Sequence, residues 1–91
     1  MENNHFDITV KGRVQGVWYR KFVCDHALEL NIKGFVKNLP NGNVYLEVEG
    51  DPRKIDQLKE LLKEGPPLAK VSEVNTKEGD FVGFEDFKIS R

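Results

Sequence analysis

Phe6, Ile8 and Val10 alternate with Asp7, Thr9 and Lys11, the two-residue period of a strand with one buried face. The period then changes. From about Tyr19 to Asn31 the apolar positions Phe22, Val23, Ala27 and Leu30 recur at helical spacing, which predicts a helix lying across a sheet. Gly34 sits in a second extended run, Ile32 to Leu39, and Pro40-Asn41-Gly42-Asn43 follows with strong turn chemistry. Val44, Leu46 and Val48 form the buried side of a third strand, so these two strands read as a hairpin. Gly50-Asp51-Pro52 opens a second helix, with Asp51 as N-cap and Pro52 at the first helical position, where its missing N–H costs nothing. Ile55, Leu58, Leu61 and Leu62 are its inward stripe, and Gly65-Pro66-Pro67 ends it. Leu68 to about Thr76 predicts a fourth strand of weaker pattern, because Val71 and Val74 are three apart and strict alternation then requires a bulge. Phe84 to Ile89 reads as a short fifth strand.

The order strand, helix, strand, strand, helix, strand is the split βαβ pattern of an α+β, ferredoxin-like two-layer sandwich (βαββαβ). Both helices are expected on one face of an antiparallel sheet, with the last short strand extending or closing its edge. At 91 residues the chain is expected to be a single domain spanning residues 1–91, without room for a second core. Topology of this kind hosts enzymes, RNA binders and metal carriers alike, so it selects no function.

Charge and composition narrow the choice. A formal net charge of -1 gives no overall bias toward nucleic acid or an anionic membrane. The outward strand positions Asp7, Thr9, Lys11, Tyr45, Glu47 and Glu49 would repel a nucleic-acid backbone, which argues against RNA binding on the open sheet face. Lys37, Glu47 and Glu49 are read as solvated strand residues. Cys24 is the single cysteine, which favours the cytoplasm and excludes an internal disulfide. No apolar run is long enough to span a bilayer, and Met1-Glu-Asn-Asn-His lacks the features of a signal peptide, so no membrane partner is expected.

One segment carries candidate chemistry. Val10-Lys-Gly-Arg-Val-Gln-Gly-Val-Trp-Tyr-Arg20 joins the first strand to the first helix through a glycine-bearing loop that ends in arginine. Gly12 and Gly16 permit backbone conformations in which successive N–H groups turn toward one point. The helix start adds unpaired donors and the positive end of its dipole, and Arg20 adds a permanent charge with a planar fork of donors. Together these describe a site for a phosphate or carboxylate.

The same segment resembles the first signature of the acylphosphatases, roughly aliphatic-x-Gly-x-Val-Gln-Gly-Val-x-aromatic-Arg. Gly34-Phe-Val-Lys-Asn-Leu-Pro-Asn-Gly42-Asn-Val44, with a closing Gly50, is similar to the second signature. Tyr19 stands where phenylalanine or methionine is more usual, and its ring fills the same space. The resemblance implies a small, cofactor-free hydrolase that cleaves the carboxyl-phosphate bond of a small-molecule acyl phosphate. Backbone donors of Val14, Gln15, Gly16, Val17, Trp18 and Tyr19, with Arg20, are expected to hold the phosphate. Asn38, the asparagine of the second signature, is implied to orient the attacking water. An amide can place a water but is no effective general base, so the proton is expected to pass to a phosphate oxygen. Related domains open the much longer hydrogenase-maturation carbamoyltransferases, and because this chain stops at Arg91 it reads as the free-standing enzyme, a monomer.

Other reactive side chains receive plainer readings. A cysteine nucleophile belongs inside an anion loop, ahead of the arginine; Cys24 comes after Arg20 and is read as a helix packing residue. His5 and His26 are too far apart in sequence to suggest a metal site, and are read as packing or surface groups. Trp18 is read as a loop aromatic covering apolar surface, with a substrate-facing role as the alternative.

Overall fold

The computed structural model describes residues 3–90. Chain order is β1 (Asn4–Arg13), α1 (Tyr19–Glu29), β2 (Lys33–Asn38), β3 (Val44–Gly50), α2 (Pro52–Glu64), β4 (Lys70–Gly79) and β5 (Phe87–Ile89). The sheet runs β4-β1-β3-β2-β5. Pairings β1/β3, β1/β4 and β2/β3 are antiparallel, whereas β5 lies parallel to β2, so the sheet is mixed rather than wholly antiparallel. The parallel pairing follows from the long return after β4, which brings the chain back to the far edge of the sheet.

Alternation places Ile8 and Val10 of β1, Val36 of β2 and Val44, Leu46 and Val48 of β3 in one buried cluster with Tyr19, Val23 and Ala27 of α1 and Ile55, Leu58 and Leu62 of α2. The apolar sets read from sequence thus form one core between sheet and helices. Phe6 is only half-buried at its edge, with the Lys59 ammonium 4.2 Å from its ring centre. No helix among the described residues is long and apolar enough to cross a membrane.

Boundaries shift for local reasons. α1 ends before Asn31, whose φ of 57° breaks the helical run. Asp51 caps α2 as expected, its side chain accepting from the Arg53 N–H at 2.9 Å. The bulge falls where the Val71/Val74 spacing required it: Lys11 pairs with Glu73 and Gly12 with Val71, leaving Ser72 as the extra residue. β4 starts later than expected because Ala69 closes a turn onto the Pro66 carbonyl, and it runs on to Gly79 because β1 still pairs with it there. β5 is shorter than expected. The backbone N–H of Phe84 is donated to the Glu49 carboxylate instead of to a neighbouring strand.

Glu49 corrects a sequence expectation. It is 2% exposed rather than solvated, because segment 82–84 crosses the outer face of the sheet and gives it the N–H groups of Val82, Gly83 and Phe84. His5, directly opposite on β1, holds Glu49 through Nδ1 at 2.7 Å and Asp7 through Nε2 at 2.8 Å, with Glu47 3.3 Å from Nε2. Carboxylates only accept, so both ring nitrogens carry hydrogen and His5 is an imidazolium. Burial by itself would lower the His5 pKa, but the bonds and charges of Glu49 and Asp7 outweigh it and raise it. Burial would likewise raise the Glu49 carboxyl; the N–H groups of the strap and the His5 imidazolium overcome this and hold it below its ordinary value. Phe84 stacks over His5 and meets Phe35 edge-on, completing the cover.

Candidate active site

The loop between β1 and α1 is pinned at several points before it presents anything to solvent. Val14 is buried in the core and Val17 packs against it. Tyr19 is buried, and its hydroxyl donates to the Leu62 carbonyl of α2 at 2.7 Å. Burial raises its pKa well above the ordinary phenol value, so it remains neutral. Gln15 reaches away from the loop, its amide nitrogen donating to the carbonyls of Leu39 and Asn43 at 2.8 Å each. The loop and the β2–β3 turn are therefore one rigid unit.

Between those anchors the backbone takes unusual conformations. Gly16 has φ 72° and open space where a Cβ would stand. Trp18 has φ 66° and ψ 20°, a left-handed conformation that a bulky aromatic rarely adopts. It is also the N-cap of α1, with no side chain capping the helix and no acidic residue in the first turn. No side chain of the first turn thus caps the leading N–H groups or offsets the positive end of the helix dipole. Gly12 has a different purpose from the one expected of it. Its φ is 130°, and an added Cβ would lie 2.1 Å from the Lys70 carbonyl oxygen, so glycine here serves the close approach of β1 to the bulge of β4.

A cavity of about 460 Å³ opens at this point, lined by Val14, Gly16, Trp18, Tyr19, Arg20, Lys21, Asn38 and Ile89. Arg20 and Asn38, far apart in sequence, meet there. Gln15 and Val17 do not line it. Arg20 is half-buried in the first turn of α1, and its Nη1 donates to the Ser90 carbonyl at 3.3 Å, beyond the end of β5. Asn38 is the last residue of β2. Its Oδ1 is buried, and among the described residues no group donates to it. A buried acceptor without a donor costs stability, so this amide is not held in place by a hydrogen bond of its oxygen.

The lining has a clear electrostatic sense. Arg20 and Lys21 are cationic, Asn38 is neutral, and none of the lining residues is a carboxylate, thiol or imidazole. The Lys21 ammonium is shared with Asp25 at 2.9 Å. Such a cavity can hold an anion and orient a neutral nucleophile, and it offers no side chain that would act as general base near neutral pH. Cys24 stands outside it, its Sγ 4.0 Å from the Phe87 carbonyl; burial, reinforced by the charge of Asp25, raises its thiol pKa and disfavours the thiolate. His26 packs edge-on against Phe22 with centroids 4.5 Å apart, on the inner flank anticipated for it. Trp18, expected to cover apolar surface, is instead 74% exposed.

Sequence reading missed Lys21, Ile89 and Ser90. The first follows Arg20 and was visible as a cation on the next helical position. The other two reach the site only through the parallel docking of β5, for which the local pattern carries no signal.

A family model described as acylphosphatase matches residues 6–89 of the chain. An acylphosphatase of Methanocella arvoryzae is 42% identical over 83 residues, covering 91% of this chain and 94% of that protein. The solved structure of an acylphosphatase from Coxiella burnetii superposes with a TM-score of 0.94 at 42% identity, covering 97% of this chain and 93% of that one. Full-length HypF, solved in a phosphate- and nucleotide-bound form, contains a region that matches 99% of this chain with a TM-score of 0.89 at 32% identity; the match spans 12% of HypF.

Proposed function

Because the chain belongs to the acylphosphatase family and is an acyl phosphate hydrolase, we propose that the cavity between the 14–20 loop and the end of β2 is its active site and that Arg20 and Asn38 divide the work. The phosphoryl group of an acyl phosphate is anionic and its leaving group is a carboxylate. The catalyst must hold the phosphate, offset its repulsion of an incoming water, and aim that water in line with the P–O bond. Little assistance to the leaving group is needed.

In this reading the phosphate rests on the backbone N–H groups of the loop and on the first turn of α1, with Arg20 taking its oxygens in bidentate fashion. The Ser90 carbonyl steadies the guanidinium from behind. Asn38 orients the attacking water through its side-chain amide, which lines the same cavity. A water so held presents a lone pair to phosphorus, and its proton passes to a phosphate oxygen, because the lining contains no better base. The joint lining of one cavity by Arg20 and Asn38 carries this reading. We take the chain to act as a single-domain monomer on small-molecule acyl phosphates in the cytoplasm, as its composition suggests.

Steady-state hydrolysis of acetyl and benzoyl phosphate, with inorganic phosphate as inhibitor, tests it. Arg20→Gln removes a charge and a fork of donors, and should lower kcat/KM by at least ~100–1,000-fold while weakening inhibition by phosphate. Arg20→Lys should recover only part of the loss, since an ammonium cannot reproduce the planar fork. Near-normal turnover by folded Arg20→Gln would remove the central residue from the mechanism.

A further inference from the structure

Arg20 and Asn38 account for the polar side of the cavity, while Trp18 and Ile89 remain unused. Both line it, and both keep large apolar surface in contact with water, 74% of Trp18 and 39% of Ile89. The other large exposed hydrophobics, Leu28, Leu68, Phe81 and Val82, lie away from this cavity. Exposure alone says little. The backbone of Trp18 says more, because φ 66° is a conformation that glycine or asparagine adopts readily and tryptophan does not. Strain of this kind persists where the surroundings enforce it, and it clusters at functional sites. Here it places an indole at the mouth of a phosphate cradle.

We infer that Trp18 and Ile89 form an acyl-binding wall beside the phosphate end of the cavity, and that the wall selects acyl phosphates with an aromatic or bulky apolar acyl group over small ones such as acetyl phosphate. This inference rests on the hydrolase site proposed above. An acyl phosphate anchored at its phosphoryl group leaves its acyl portion within the same cavity, whose apolar lining is Trp18, Ile89, Tyr19 and Val14, of which only Trp18 and Ile89 keep large exposed surface. An aromatic acyl group can stack on the indole and cover both exposed surfaces, whereas a methyl group reaches little of either. Lys21 does not argue for an acidic acyl group, since Asp25 already engages its ammonium.

The experiment compares kcat/KM for benzoyl and acetyl phosphate in the wild type, Trp18→Asn, Trp18→Phe and Ile89→Ala. Asparagine tolerates the left-handed backbone, so Trp18→Asn removes the ring without adding strain to the loop. The benzoyl-to-acetyl ratio should fall about tenfold in Trp18→Asn, within the range of one aromatic pair plus its buried area, and about threefold in Ile89→Ala. Trp18→Phe should stay within about twofold of the wild-type ratio. An unchanged ratio in folded Trp18→Asn overturns the inference while leaving the hydrolase site intact. A binding arm separates the two claims further, because Trp18 is the only tryptophan in the chain and its fluorescence reports on this position alone. Benzylphosphonate, which is not hydrolysed, should alter Trp18 emission and bind more tightly than methylphosphonate. A wild-type protein that bound benzylphosphonate in this way but hydrolysed neither substrate would sustain the wall and defeat the hydrolase reading. Turnover of both substrates with equal affinity for the two phosphonates would do the reverse.

Discussion

Replacing Asn38 by alanine should make the protein slower without making it weaker. The Oδ1 of Asn38 is buried with no donor among the described residues, and an unsatisfied buried acceptor costs about 1–3 kcal/mol. Alanine removes that cost. It also forfeits the packing of the amide at the end of β2, where asparagine is in any case a poor strand residue. The two terms nearly cancel, so urea denaturation should place Asn38→Ala within about 1 kcal/mol of the wild type, or above it. Turnover at saturating substrate should fall ~100-fold, about 2.7 kcal/mol of barrier, as for the loss of one positioned polar group. Competitive inhibition by inorganic phosphate should change by less than about twofold, because Arg20 and the loop are untouched. Folded Asn38→Ala with full turnover would refute the role in positioning water. A stability loss of ~2 kcal/mol or more would show that the amide is an ordinary structural group.

Gln15→Ala should lower stability by about 2 kcal/mol in urea melts, one neutral hydrogen bond to each of the Leu39 and Asn43 carbonyls being lost, and Gln15→Glu should be worse because it sets an acceptor against both. Gly12→Ala should destabilise by about 3 kcal/mol or more, through backbone overlap with Lys70 and a positive φ, whereas Gly16→Ala meets no neighbour and should cost far less in the same melt. Stability measured against pH should be greatest between the ordinary values of 4.5 for Glu49 and 6.5 for His5. The Glu49 contribution is complete above 4.5 and is lost as pH falls through its lowered pKa; that of His5 is complete below 6.5 and is lost as pH rises through its raised one. His5→Gln should flatten the alkaline limb, and an unaltered limb would deny His5 this role. Hydrolysis of acetyl phosphate should survive excess chelator, since no step assigned to the cavity lining passes through a metal; loss on chelation with recovery on adding a divalent ion would contradict this.

The regular elements were legible because period and turn chemistry agree over most of the chain. The Val71/Val74 spacing even called for a bulge in β4, which the register places at Ser72. Arg20 and Asn38 were legible through their motifs, although their convergence depends on tertiary structure. What escaped was non-local. Glu49 occupies an outward strand position and reads as solvated, and only the crossing of residues 82–84 buries it. The parallel pairing of β5 escaped for the same reason, since a three-residue strand states neither its partner nor its direction. Gly12 was legible as a required glycine but not as one required by β4, because a close approach between strands is written in neither of them alone.

The hydrogen bond from Arg20 to the Ser90 carbonyl joins residues 70 apart in sequence. The cavity is therefore assembled from the first loop, the end of the second strand and the last strand, and it is complete only when the chain has closed on itself. In kinetic terms such a contact pays for loop closure before it is rewarded. Catalytic competence should accordingly be among the last properties regained in refolding, trailing the helical signal of α1 and α2. A short-lived, collapsed chain would bind anions loosely at the helix start well before it could hydrolyse anything.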